Sequence, residues 1–157
     1  MDDPSDRGAA PWSGSRSSKE RNAVQKAVTA LLNELAPEKV LGRVNPVVGR
    51  IEEHRTPTGC VLQAGSAALS VSWFAPGGSD TAAGELHVVV WNGRVSRRGA
   101  APPRKAATIA AELVFLPIDR TADDCQWQAR DGTKYDTKAL AEHCIALLEA
   151  QIKATPG

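Results

Sequence analysis

The hydrophobic period of this chain changes twice, from helical to two and back to helical, and that order restricts the fold more than any motif does. Val24, Ala27, Val28, Leu31, Leu32 and Leu35 recur at three- and four-residue steps, which draws one apolar stripe along an α-helix. Ser17 stands three residues before Glu20, the spacing of a capping box. Pro37 pushes the residue before it out of the α region and ends the run. Near the other end, Leu140, Ala141, Cys144, Ile145, Leu148 and Ile152 form a second stripe. Asp136 is placed to cap that helix, with Tyr135 before the cap set to staple against Leu140.

Between the stripes the period is two. Arg50, Glu52 and His54 alternate with Gly49, Ile51 and Glu53. Cys60 to Ala64 is extended between the turn signals Thr56-Pro57-Thr58-Gly59 and Gly65-Ser66. Leu69, Val71 and Trp73 alternate with Ser70, Ser72 and Phe74, the pattern of a half-buried strand. Pro76 to Asp80 reads as a loop, and Glu85 to Trp91 as a strand. Asn92-Gly93 is a hairpin signal, which predicts a short edge strand over 94–98. Thr108 to Leu116 mixes helix formers with Val114 and Phe115; its hairpin context selects strand, with Pro117 at its end. Gln126-Trp127-Gln128, Asp131-Gly132 and Thr133-Lys134-Tyr135 complete the series. Strands this close in sequence pair antiparallel. The expected fold is α+β: an N-terminal helix, an antiparallel meander of five to seven strands and a C-terminal helix, with both helices on one sheet face.

The chain has 157 residues and a net charge of +1, with 42% apolar and 24% charged residues. That is ordinary globular usage and supplies no global field for a polyanion or a membrane. Residues 1–16 are rich in Gly, Pro and Ser and read as a disordered tail, leaving 17–155 as one domain. No apolar run approaches the ~20 residues of a membrane span, and the first residues lack a secretory signal. A cytoplasmic, bacterial-type domain is the expectation. Cys60, Cys125 and Cys144 are an odd, scattered set that reads as core packing.

Phosphate-loop, dinucleotide, zinc-protease, serine-hydrolase and EF-hand motifs are all missing, so no catalytic residue, metal or cofactor is assigned. His87 sits in an apolar strand on the side of Val89 and Trp91. With Trp73 and Trp91 it is the candidate ligand-binding set, either as strand aromatics or as the lining of a pocket. A thiolate pair of Cys60 with His87 has no support from spacing. Arg94, Arg97, Arg98, Arg104 and Lys105 fall in an acid-free stretch, either an anion patch or a solubilising edge. Asp119, Asp123 and Asp124 lack the regular spacing of a calcium loop. His54 and His143 read as solvated.

The helix, meander, helix order is similar to that of frataxin-like domains and, more loosely, to small secretion-chaperone folds. The acidic ridge expected on a frataxin helix is absent here, because the first helix mixes Lys19, Glu20, Arg21, Lys26 and Glu34. The sequence therefore predicts a non-catalytic binding or protein-interaction domain, with a small-molecule binder or small enzyme as the alternative. A protein or small molecule is the expected partner, a homodimer being one form of this. Neither membrane nor nucleic acid is expected.

Overall fold

The structure is a computed structural model that describes residues 14–44, 51–75, 84–95, 106–121 and 124–154. Of the tail expected over 1–16, residues 1–13 lie outside these and 14–16 fall in the first helix; the loop Pro76 to Asp80, residues 96–105 and the side chains of Ser17 and Glu20 also lie outside. Helix α1 covers Gly14–Glu34 and α2 covers Pro37–Val44. Strands follow as β1 Glu52–Thr56, β2 Gly59–Ala64, β3 Ala67–Phe74, β4 Glu85–Asn92, β5 Thr108–Thr121, β6 Asp124–Ala129 and β7 Lys134–Tyr135. Helix α3, Thr137–Ala154, closes the fold.

The seven strands form one antiparallel sheet in chain order. Alternation sends Leu62, Leu69, Val71, Leu86, Val88, Phe115 and Trp127 to one face, where all are fully or nearly fully buried. Helix α1 crosses β5, β6 and β2 on that face, and α3 lies over β3, β4 and β6. Every residue of the two expected helical stripes is buried there. Trp73 meets Trp127 edge-on, with ring centroids 5.8 Å apart, an arrangement that aromatic quadrupoles favour. Gly84 has a φ of +80° and lies against this pair; a Cβ there would come within 2.6 Å of the Trp73 ring and 2.7 Å of the Phe74 carbonyl oxygen.

Pro37 does end α1, but it also begins α2, because a first-turn proline needs no N–H partner and is already bent for a helix. The Ala36 carbonyl accepts from the Lys39 and Val40 amides, and Val40 is fully buried. The short helix was not expected from the sequence. A second correction concerns 94–98. Arg94 and Val95 are not strand, and 96–98 lie outside the described residues. At Asn92-Gly93 the chain does not turn back on β4; it is tied to the β2–β3 turn. The Gly93 amide donates to the Ser66 carbonyl at 2.6 Å. Gln63, 6% exposed, donates to the carbonyls of Gly65 and Gly93 at 2.9 and 3.0 Å and accepts from the Val95 amide at 3.0 Å.

The third correction is that β5 runs through Pro117 to Thr121. Pairing with β4 ends at Leu86↔Phe115, so Pro117 lies past that ladder, where a missing donor costs little. At the Asp131-Gly132 turn, the Asp131 carboxylate accepts from the Thr133 amide at 2.9 Å. Hydrogen bonds from the Thr133 backbone and hydroxyl hold this carboxyl below the ordinary aspartate value. Its stabilising contribution is present above that ordinary value and fades as pH falls through the lowered one. Asp136 caps α3 as expected, accepting from the Ala139 amide at 2.7 Å. The Tyr135 ring packs edge-on to Phe115 and stacks on His143, with centroids 5.8 and 5.2 Å away.

Two stability measurements follow. Gln63→Leu should cost about 2–4 kcal/mol, since it leaves the Val95 amide and the Gly93 carbonyl without their partner. Urea unfolding reads this directly, and a loss under about 0.5 kcal/mol would mean that the segment is held by other contacts. Gly84→Ala should cost about 1–3 kcal/mol through overpacking against Trp73 and the strained φ. A melting temperature equal to the wild type's would refute that close approach.

Candidate functional site

The same alternation that fills the core leaves the opposite sheet face without a helix among the described residues. Val61, Ser70, Ser72, Phe74, His87, Val89, Trp91, Ile109, Val114 and Leu116 share it by cross-strand register. Phe74 and Ile109 are each 54% exposed and Leu116 43%, while Val89, Trp91 and Val114 are half-buried. An exposed large apolar group is ordinary when single; several on one flat face are not.

Polar contacts fix the aromatic groups of this face. The Trp91 indole N–H donates to the Ser70 hydroxyl at 3.0 Å. His87 Nε2 lies 2.9 Å from a Glu85 carboxylate oxygen, and its ring meets Phe74 edge-on at 4.7 Å. A groove of about 470 Å³ runs along this end of the sheet, between Glu85, His87, Glu112 and Val114 on one side and Arg130 and Asp131 on the other.

The candidate ligand set therefore divides. His87 and Trp91 stand together on the uncovered face, and the sheet separates them from Trp73, which is 8% exposed in the helix-covered core. Of the three, only Trp73 faces the helices. Of the basic segment, Arg94 is paired to Glu52 at 2.6 Å, and Arg97, Arg98, Arg104 and Lys105 lie outside the described residues, as do the side chains of Asp119, Asp123 and Asp124. Among the described residues, no group of three or more His, Cys, Asp and Glu is placed to hold a metal. No helix among them is long and apolar enough to cross a membrane. Phe74, Ile109 and Leu116 were not among the candidates. Period two gave Phe74 its side, but nothing in the sequence said which side the helices would cover.

Cys60 and His87 sit on opposite faces of the sheet and cannot form a nucleophilic pair. Cys60, Cys125 and Cys144 are all buried, as expected of core cysteines. Burial, then the neighbouring Glu53 carboxylate, pushes the Cys60 thiol up to about 12, opposed by Arg55. Burial likewise raises Cys144 to about 12, with Cys60 adding to the shift. Both stay neutral thiols at neutral pH, and a neutral thiol is a poor nucleophile.

Comparison with protein-family models, with curated proteins and with solved structures gives no match to this chain. The likeness to frataxin-like domains is one of element order alone, and the site must be interpreted from its own geometry.

The thiols allow a check of this geometry. Cys60 and Cys144 should resist a chromogenic disulfide reagent in the native protein at pH 8 and react fully in denaturant. Because the raised folded values lie above the unfolded thiol value of 9.0, their contribution is complete below that pH. It declines as pH rises from there toward the folded values. Rapid native labelling of either residue would contradict its burial.

Proposed function

We propose that this chain is a non-catalytic binding module whose uncovered sheet face docks another protein. One observation carries the reading: Phe74, Ile109 and Leu116 are exposed on the face that also holds Trp91, Val89 and Val114. Burying such a face stabilises a complex by roughly 25 cal/mol per Å² of apolar area before the costs of association. Trp91 and Phe74 are the residue types that anchor interfaces, being large, stiff and apolar. Their hydrogen-bonded and edge-on neighbours hold them in place before any partner arrives, which lowers the ordering cost of binding. The polar residues around them, Glu85, Glu112, Gln126 and Gln128, supply the rim that interfaces normally carry. The separation of Cys60 from His87 supports a binding role over a thiol-based one. The pocket alternative gains nothing from His87, which faces away from the helices.

Phe74→Asp and Leu116→Asp should each leave stability within about 1 kcal/mol of the wild type, because both side chains are largely in water already. Each should abolish stoichiometric recovery of a partner by the tagged protein from its host's extract. Lys26→Glu, on the exposed side of α1, should retain that partner. Equal recovery by all three variants, or no stoichiometric partner for the wild type, would overturn the reading.

A further inference from the structure

Strand β5 has partners on opposite sides along its two halves. It pairs with β4 from Thr108 to Phe115, whereas β6 joins it only from Phe115 onward. On the side β6 leaves open, Thr108 to Val114 border no described strand, and no described loop hydrogen-bonds to their backbone. Seven residues of strand present an edge of roughly 24 Å at about 3.4 Å each.

The outer strands of this sheet are guarded against pairing. β1 carries Glu52, Glu53, His54 and Arg55, and β7 has two residues. Charge and shortness are the usual protections of an edge. Thr108 to Leu116, by contrast, contains no Lys, Arg or Pro and a single acid, Glu112. Its one irregularity is the register shift opposite Val90 and Trp91, which skips Ala110. Thr108, Ile109, Ala110 and Glu112 are exposed. The groove of about 470 Å³ opens where β6 stops, in line with this edge. Three carboxylates, Glu85, Glu112 and Asp131, line it with one guanidinium, Arg130.

We infer that the Thr108–Val114 edge accepts an extended segment of another protein as an added strand, with a Lys or Arg side chain seated in the groove beside Glu112. A row of alternating amides and carbonyls is satisfied fully only by another extended backbone, and side-chain pockets beside it give such pairing its selectivity. The charges choose between a foreign strand and a second copy. Antiparallel pairing of β5 with its own copy would bring two Glu112 carboxylates to one seam and place no cation in either groove. This surface shares Ile109, Glu112 and Val114 with the sheet face proposed above, but it is recognised through its backbone edge, so either reading can stand without the other.

The test pans a display library of random eight-residue peptides against the full chain and titrates the consensus peptide by amide NMR. The expected consensus alternates β-branched residues and fixes a Lys or Arg at one position. Replacing that cation with Glu should weaken binding on the order of tenfold, and Glu112→Lys in the protein should restore the Glu peptide and reject the original. The spectrum of Glu112→Lys reports its fold, and Ala110→Lys, at an exposed residue outside the sheet-face set, supplies a second edge variant that should also bind more weakly. Outward-facing amides of 108–114 should exchange quickly in the free protein and slowly in the complex. Three results would overturn the inference: no consensus or no charge preference; shifts confined to residues outside the edge and groove; or edge amides already protected in the free protein. Protection independent of concentration would assign the edge to the chain's own residues 96–105, and protection that grows with concentration to a second copy.

Discussion

Leu62, Leu69, Val71, Leu86, Val88, Phe115 and Trp127 all point to one side of a single sheet, and α1 and α3 close that side. Everything else in the molecule depends on this one-sided burial. It sets the width of the helical stripes, since each must cover three or more strands with side chains spaced three and four apart. It fixes the register as well, because a slip of one residue in β3 or β4 would exchange Val71 or Val88 for Ser72 or His87 in the core. It also leaves the second face without a helix among the described residues, and Phe74, Ile109 and Leu116 stand exposed there.

The two long helices and most strands were legible because their signals are local. Stripe spacing names the buried residues of α1 and α3 without reference to the rest of the chain. Gly65-Ser66 and Asp131-Gly132 turn where small or turn-forming residues permit it. What was not legible depended on distant partners. Pro37 has the same local meaning whether a chain stops or starts a helix there, and Val40 decides the matter by reaching the core. Gln63 looks like an outward polar residue on a strand; only the folded chain brings Gly93 and Val95 to its amide. Pro117 reads as the end of β5 because the start of β4 at Glu85, which leaves Pro117 beyond that ladder, cannot be read from β5 itself. For the candidate site, alternation put His87 beside Trp91, while only the cross-strand register with β3 set Trp73 on the other face.

The molecule thus has two surfaces of different chemistry. The face offers side chains, with Phe74 and Leu116 exposed and Trp91 half-buried. The β5 edge offers backbone, and would recognise extended conformation and, through Glu112, charge. They meet at Ile109 and Val114, which belong to both.

Because the strands are ordered in the sheet as they are in the chain, each β pairing joins segments that are already neighbours. Closing such short loops costs little entropy, so the meander can form hairpin by hairpin without waiting for remote parts of the chain. The contact between α1 and α3 is different, since more than one hundred residues separate Glu34 from Thr137. That docking closes a far longer loop than any strand pairing does, and it carries the larger closure cost.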